Sequence, residues 1–104
     1  MARMTGVRIY VLKFIRRVPE GSVITVPDLA RAADARGARR AMIRIVAERP
    51  EDTPYWRVVN EDGSLLELDE QFRDEQRERL SEEGVELEGD RVDLDACGWT
   101  PQLE

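Results

Sequence analysis

The sequence contains no histidine, a single cysteine and no long apolar run. One cysteine, Cys97, cannot form an internal disulfide, and without histidine a zinc site of the Cys/His type is excluded. A membrane-spanning helix needs roughly 20 consecutive apolar residues, which no segment provides. Residues 1–6 also lack the apolar centre of a signal peptide. We therefore expect a cytoplasmic protein without a metal, a cofactor or a membrane contact.

The length and composition indicate one globular domain. The chain has 104 residues, of which 37% are charged and 41% are apolar. Such a chain is long enough for one modest hydrophobic core. We expect residues 1–104 to form a single domain.

The charges are divided unevenly between the two parts of the chain. Residues 1–49 contain 11 basic and 4 acidic residues, a net charge of +7, whereas residues 50–104 contain 5 basic and 18 acidic residues, a net charge of −13. This asymmetry indicates a basic binding surface in the first part. The acidic part either keeps the domain soluble or binds a protein partner.

Helical spacing of apolar residues predicts a first helix over residues 5–17, ended by the turn Pro19-Glu20-Gly21. The residues at this spacing are Val7, Tyr10, Val11, Phe14, Ile15 and Val18. A second helix is predicted to follow Thr25, whose hydroxyl can cap it, and to end near Ala33.

A third predicted helix, over residues 36–48, has one apolar and one basic face. The apolar face consists of Ala38, Ala41, Met42, Ile45 and Val46, and the opposite face consists of Arg36, Arg39, Arg40 and Arg44 with Ile43 among them. No acidic residue lies between Asp34 and Glu48. The second and third helices form a helix-turn-helix pattern, so the arginines favour contact with DNA phosphates or a groove over a merely solvated face.

The second half of the chain predicts short strands around one charged helix. Residues 56–59 and 65–68 are typical of two strands joined by a turn at residues 60–63. A helix is predicted over residues 69–83 with a stop at Gly84, followed by a hairpin of residues 85–87 and 91–94. Together with the three N-terminal helices, this predicts an α+β fold of winged-helix character.

The segment Pro54-Tyr55-Trp56-Arg57-Val58 resembles the active-site motif of the O6-alkylguanine-DNA alkyltransferases and of the alkyltransferase-like proteins. In the enzymes this motif reads Pro-Cys-His-Arg-Val, and the cysteine accepts the alkyl group. The resemblance places Tyr55 at the nucleophile position and Trp56 at the base position. A phenol ionises only near pH 10 and an indole accepts no proton, so the resemblance implies the scaffold without the reaction.

Further segments in the same order strengthen the resemblance. Arg40-Ala41-Met42-Ile43 is similar to the family's Arg-Ala-Val-Gly, which implies that Arg40 enters the DNA stack when a base is flipped. Val26 replaces a family tyrosine, Ile43 a glycine, and Arg49 a hinge asparagine. The C-terminal segments Glu83-Gly84-Val85, Gly89-Asp90-Arg91-Val92-Asp93-Leu94 and Trp99-Thr100-Pro101 resemble the alkyltransferase-like branch.

The resemblance implies a monomeric, nucleoid-associated and non-enzymatic protein that binds double-stranded DNA. It would recognise O6-alkylguanine in the minor groove, flip the base, and signal to nucleotide excision repair, with the acidic C-terminal half as a surface for a repair protein. The implied DNA contacts are Thr25, Arg36, Arg39, Arg40, Ile43 and Arg44, and the implied lesion pocket consists of Pro54, Tyr55, Trp56 and Arg57.

Two alternatives remain at this level. Tyr55 and Trp56 can equally be packing residues, and Arg57 a structural one. The whole chain can also be a diverged winged-helix module that binds DNA or protein without reading lesions. A pocket beside Tyr55 large enough for an alkylated purine would favour lesion recognition.

Overall fold

The computed structural model describes residues 2–101, and the side chains of residues 6–101. Met1, residues 102–104 and the side chain of Arg3, which was counted in the basic part, lie outside this description. The helices are α1 (Ala2–Arg17), α2 (Val26–Ala32), α3 (Arg39–Ala47), α4 (Glu70–Glu82) and α5 (Leu94–Cys97), and the strands are β1 (Ile24–Thr25), β2 (Val58–Val59), β3 (Leu87–Glu88) and β4 (Arg91–Val92). None of the described helices is both long enough and apolar enough to cross a membrane.

Helix α1 covers the core with the predicted apolar face, except at Tyr10. Val11, Phe14, Ile15 and Val18 are buried, whereas Tyr10 is 53% exposed. Tyr10 lies at the edge of the apolar face, where helical geometry turns its side chain away from the core. The helix also begins at Ala2, before the predicted start.

Helices α2 and α3 form the predicted helix-turn-helix, with one correction at Arg36. The Thr25 hydroxyl accepts the Asp28 N–H at 3.3 Å and caps α2, as predicted. Helix α3, however, begins at Arg39 and not at Arg36. Gly37 adopts φ +81°, a left-handed conformation that interrupts any helix extending back to Arg36. Arg36 therefore lies in the turn before the recognition helix.

The predicted hairpin of residues 56–59 and 65–68 does not form. Tyr55–Arg57 is a single 3-10 turn, and β2 pairs in parallel with β1, with Ile24 opposite Val58. Both residues of β2 are fully buried, as in a parallel pair covered on both faces, and not alternately exposed as in a hairpin. The predicted turn at residues 60–63 is present, since the Asn60 N–H donates to the Ser64 carbonyl at 2.9 Å.

The C-terminal elements agree with the predicted ones and add a short helix. Asp69 caps α4 by accepting the Phe72 N–H at 2.8 Å, and Gly84 at φ +87° ends the helix. Strands β3 and β4 form the predicted terminal hairpin. Helix α5 follows and was not predicted, because its four residues are too few to show a helical period.

Gln76 of α4 is a polar residue inside the core. Its side chain is 1% exposed, and it bonds three backbone groups. Its carbonyl oxygen accepts the Leu66 N–H at 2.9 Å, while its amide donates to the carbonyls of Trp56 at 3.0 Å and Val58 at 2.6 Å. One side chain thus satisfies backbone groups of the 3-10 turn, of β2 and of Leu66, which leaves these buried groups hydrogen-bonded.

Gln76→Leu should lower the free energy of unfolding by about 3 kcal/mol or more, because three buried backbone groups lose their partners and each costs about 1–3 kcal/mol. Urea unfolding followed by circular dichroism measures this as a lower midpoint at unchanged slope. Gln71→Leu, at an exposed position of the same helix, should change stability by less than about 0.5 kcal/mol. Equal effects of the two substitutions would show that the Gln76 hydrogen bonds do not hold these segments.

Candidate nucleic-acid interface

The basic surface at the recognition helix consists of Arg36 before α3 and Arg39, Arg40 and Arg44 on it. All four side chains are exposed, and Ile43 among them is half-buried. Within residues 6–101, Arg36, Arg40 and Arg44 form no hydrogen bond and no salt bridge. Three exposed guanidinium groups thus have no partner within residues 6–101, and their contact with DNA phosphates stays a prediction.

Arg39 differs from its neighbours because it contacts the turn between β2 and the following segment. Its guanidinium donates to the Asn60 Oδ1 at 2.5 Å. The Asn60 amide in turn donates to the Ser64 hydroxyl at 3.0 Å and the Leu65 carbonyl at 3.1 Å. Asn60 thus joins the recognition helix α3 to the turn at residues 60–63. The sequence carries no signal for this contact, since the two residues are 21 positions apart.

A cleft of about 620 Å³ lies beside Tyr55, at the position of the lesion pocket that the family resemblance implies. Pro54, Tyr55, Trp56 and Arg57 line one side, and residues 49–53 line another. Arg16 of α1 and Arg79 of α4 complete it. The volume falls within the range of typical small-molecule sites. All four predicted pocket residues therefore come together at one cleft.

Tyr55 lines this cleft but is largely covered by neighbouring side chains. It is 9% exposed, and its hydroxyl donates to the carboxylate of Glu75. The rings of Trp56 and Phe72 lie 5.2 Å and 6.1 Å from its ring. Burial, and then the hydrogen bond to Glu75, raises the pKa of the Tyr55 phenol. The phenol therefore stays protonated near neutral pH.

Trp56 and Arg57 share a carboxylate at the end of α4. The Trp56 Nε1–H donates to Glu83 at 2.9 Å, and the Arg57 guanidinium donates to the same carboxylate at 2.6 Å and 3.0 Å. Arg57 also donates to the Val18 carbonyl at 2.8 Å. Both side chains are consequently held within the fold. Arg79 stacks over the Trp56 ring, with its guanidinium carbon 4.6 Å from the ring centre.

Glu83 is the acceptor on which these contacts converge. Besides Trp56 and Arg57, its carboxylate accepts the Gly21 N–H at 3.3 Å. Burial alone would raise the pKa of Glu83, but the hydrogen bonds from Arg57 and Trp56 outweigh it, and the pKa is lowered. Glu83 is therefore ionised near neutral pH.

Cys97 is not among the residues that line the cleft. It lies at the end of α5, half-buried, with its Sγ 3.2 Å from the Asp93 carbonyl. Burial and the nearby Asp93 raise the pKa of the thiol. A thiol that remains protonated is a poor nucleophile.

Comparison with known proteins identifies the scaffold. The family described as 6-O-methylguanine DNA methyltransferase, DNA binding domain, matches residues 7–85. The chain belongs to this family. Relatives named DNA base-flipping protein are 28% identical in Vibrio parahaemolyticus, covering 89% of this chain and 95% of that protein, and 33% identical in Escherichia coli, covering 86% and 70%.

A third relative combines the family's module with more chain. It is named bifunctional methyltransferase/endonuclease, comes from Picrophilus torridus, and is 34% identical over 91 residues. The match covers 82% of this chain but only 29% of the Picrophilus protein. The present chain thus spans less than a third of that relative's length.

Solved structures confirm the fold and the resemblance to alkyltransferase-like proteins. S. pombe Atl1, in complex with damaged DNA containing O6-carboxymethylguanine, superimposes with a TM-score of 0.83 at 25% identity, over 97% of this chain and 98% of that one. A second structure, of S. pombe ATL in complex with DNA, gives a TM-score of 0.86 at 24% identity over the same shares of the two chains and shows the same fold.

Glu83→Gln should lower stability at pH 7 by about 2 kcal/mol, because it leaves the mostly buried Arg57 without its counter-charge. A lowered folded-state pKa means that the carboxylate stabilises the protein above its unfolded pKa, and that this contribution is lost as pH falls through the folded pKa. The difference between wild type and variant should therefore shrink on acidification towards pH 3, measured by urea unfolding across pH. Glu82→Gln, at the exposed neighbouring position, serves as the control. A difference that stays constant with pH would contradict this assignment.

Proposed function

We propose that this protein binds duplex DNA without enzymatic activity and recognises O6-alkylguanine by flipping the base into the cleft beside Tyr55. The observation that carries the proposal is this cleft. One of its walls is the segment that directly follows the basic recognition helix α3, in a chain with the family's fold. The names of the Vibrio and E. coli relatives, and the damaged DNA bound to Atl1, support the same assignment.

The absence of alkyl transfer is part of the proposal. By the family motif, Tyr55 occupies the position of the nucleophilic cysteine, and its phenol is buried and donates to Glu75. Trp56 occupies the base position, and its only polar atom already donates to Glu83. Neither side chain can generate or be a nucleophile at neutral pH. The site is thus suited to hold a base without reacting with it.

Incubation with duplex DNA containing O6-methylguanine should leave the mass of the protein unchanged, because the cleft presents no thiolate. Intact-protein mass spectrometry measures this, with a methyltransferase of the family as the positive control. A stoichiometric gain of one methyl group, on Cys97 or elsewhere, would contradict the proposal.

The proposed DNA contacts are Thr25, Arg36, Arg39, Arg40, Ile43 and Arg44. Within this set, Arg40 is assigned to the gap left in the base stack and Arg36 and Arg44 to phosphates. Arg40 and Arg44 are four positions apart, and hence on the same face of α3. Their roles should nevertheless be separable. Flipping a base costs a few kcal/mol in lost stacking and pairing, and only Arg40, in the gap of the base stack, should offset this cost.

The decisive experiment is a titration of matched duplexes that carry guanine or O6-methylguanine at one position. Wild type should prefer the lesion, and affinity for both duplexes should fall with salt, by about 0.9 in the slope of log affinity against log salt per phosphate contact. Arg40→Ala should remove most of the preference. Arg44→Ala should weaken both duplexes alike and reduce the slope by about one contact. Equal affinity of the wild type for both duplexes would favour a winged-helix module without lesion recognition.

We further propose that the protein acts as a single domain and a monomer and hands the lesion to nucleotide excision repair. Outside the cleft, the surface of the chain after residue 49 is strongly acidic and thus unsuited to DNA, which leaves it accessible to a repair protein in the DNA complex. Size-exclusion chromatography of the lesion complex, with and without purified excision-repair damage-recognition proteins, tests both points. A dimer in the lesion complex, or no ternary complex, would count against them.

A further inference from the structure

Glu75 of α4 binds two residues that delimit one wall of the cleft. Its Oε1 accepts the Arg49 Nε–H at 2.8 Å, and its Oε2 accepts the Tyr55 hydroxyl. Arg49 and Tyr55 stand at the two ends of residues 50–54, and every residue of that segment lines the cleft. A single carboxylate therefore holds both ends of the wall.

The wall itself has a conformation that its own sequence does not favour. Arg49 and Asp52 adopt φ +49° and +56°, the left-handed region that residues other than glycine rarely occupy. Such conformations persist only where surrounding contacts determine them. One of these contacts is Thr53, whose buried hydroxyl accepts the Arg16 Nε–H at 3.0 Å and donates to the Glu51 carbonyl at 3.1 Å. The others are the two hydrogen bonds to Glu75.

Arg49 also belongs to the end of the recognition helix. Its N–H donates to the Val46 carbonyl at 3.0 Å, which continues the hydrogen bonds of α3 by one residue. Its guanidinium carbon lies 5.1 Å from the centre of the Phe72 ring, against which Tyr55 also packs. Arg49 therefore connects the end of α3 to Glu75, and Glu75 connects it to Tyr55.

We infer that Glu75 is the positioning residue that couples the seating of α3 on DNA to the shape of the base cleft, and so determines how well a flipped alkylated base is retained. The inference rests on the proposed function. It assigns the link between α3 and the cleft to Arg49 and Glu75.

This role differs from general stabilisation. The side chains of Arg49 and Glu75 are 36% and 25% exposed, and ion pairs with this much access to solvent contribute little to stability. Loss of the pair should hence change the cleft more than the fold. The two arms can also be broken separately, since Arg49→Gln removes the ion pair while Tyr55→Phe removes only the hydroxyl.

The test compares Glu75→Gln, Arg49→Gln and Tyr55→Phe with wild type in the same two duplexes. The ratio of the affinities for O6-methylguanine and guanine DNA should fall by about five- to tenfold in Glu75→Gln, the contribution of about one hydrogen bond. A 2-aminopurine placed beside the lesion should show less unstacking at saturating protein. The double variant Arg49→Gln/Tyr55→Phe should lose no more than Glu75→Gln, because both arms act through one carboxylate.

Glu78→Gln is the matched control, since Glu78 is exposed on the same helix and makes no hydrogen bond or salt bridge within residues 6–101. It removes the same charge and should leave the affinity ratio and the 2-aminopurine signal at wild-type values. If Glu75→Gln, Arg49→Gln and Tyr55→Phe all keep the wild-type affinity ratio, the inference about Glu75 is wrong while the proposed function still holds. A wild type without lesion preference would overturn the proposed function and the inference together.

Discussion

The ion pair between Arg57 and Glu83 is the interaction on which the arrangement of the cleft depends. The two side chains are only 13% and 10% exposed, and each uses its remaining polar atoms, Arg57 on the Val18 carbonyl and Glu83 on Trp56 and Gly21. The pair thereby joins the end of α1, the turn after it, the 3-10 turn and the end of α4. A mostly buried pair of this kind is strongly disrupted when one partner is lost, because the other charge stays uncompensated.

Helix α4 is highly charged but packs against the core through the buried Phe72 and Leu80 and through polar contacts of its inner side. On its inner side, Glu75 holds the wall of the cleft and Gln76 the backbone around β2. Glu83, which caps the end of the helix, holds Trp56 and Arg57. Acidic composition alone predicts a solubilising or partner-binding surface for this helix. The structure divides the helix instead into an inner face that builds the cleft and an outer face that carries the acidic charge.

Elements specified by local chemistry were predicted well. The cap Thr25 and the stop at Gly84 depend on residues within one or two turns of the helix end, so their signals are contained in a short window. Gly37 shows the limit of prediction from local sequence. The apolar and basic periodicity continues through it, but its left-handed backbone makes α3 begin only at Arg39.

Elements that depend on distant partners could not be predicted in the same way. β1 pairs in parallel with β2, more than 30 positions later, and two apolar residues in a row are compatible with a hairpin, a parallel pair or a helix. The contacts of Asn60, Glu75, Gln76 and Glu83 are also non-local. The motif at Pro54 indicated which residues meet at the cleft, whereas their hydrogen-bond partners on α4 carry no sequence signature of their own.

The two aromatic residues of the motif are joined to the fold through their polar groups. Their polar groups, the Tyr55 hydroxyl and the Trp56 Nε1–H, both donate to carboxylates of α4, so neither is left unsatisfied in the interior. Both groups are donors in these contacts. Tyr55, Trp56, Glu75 and Glu83 therefore form one hydrogen-bonded unit. A side chain at position 55 or 56 that buries a polar donor needs an acceptor on α4 or at its end, so the residues at the cleft and the acceptors behind them depend on each other.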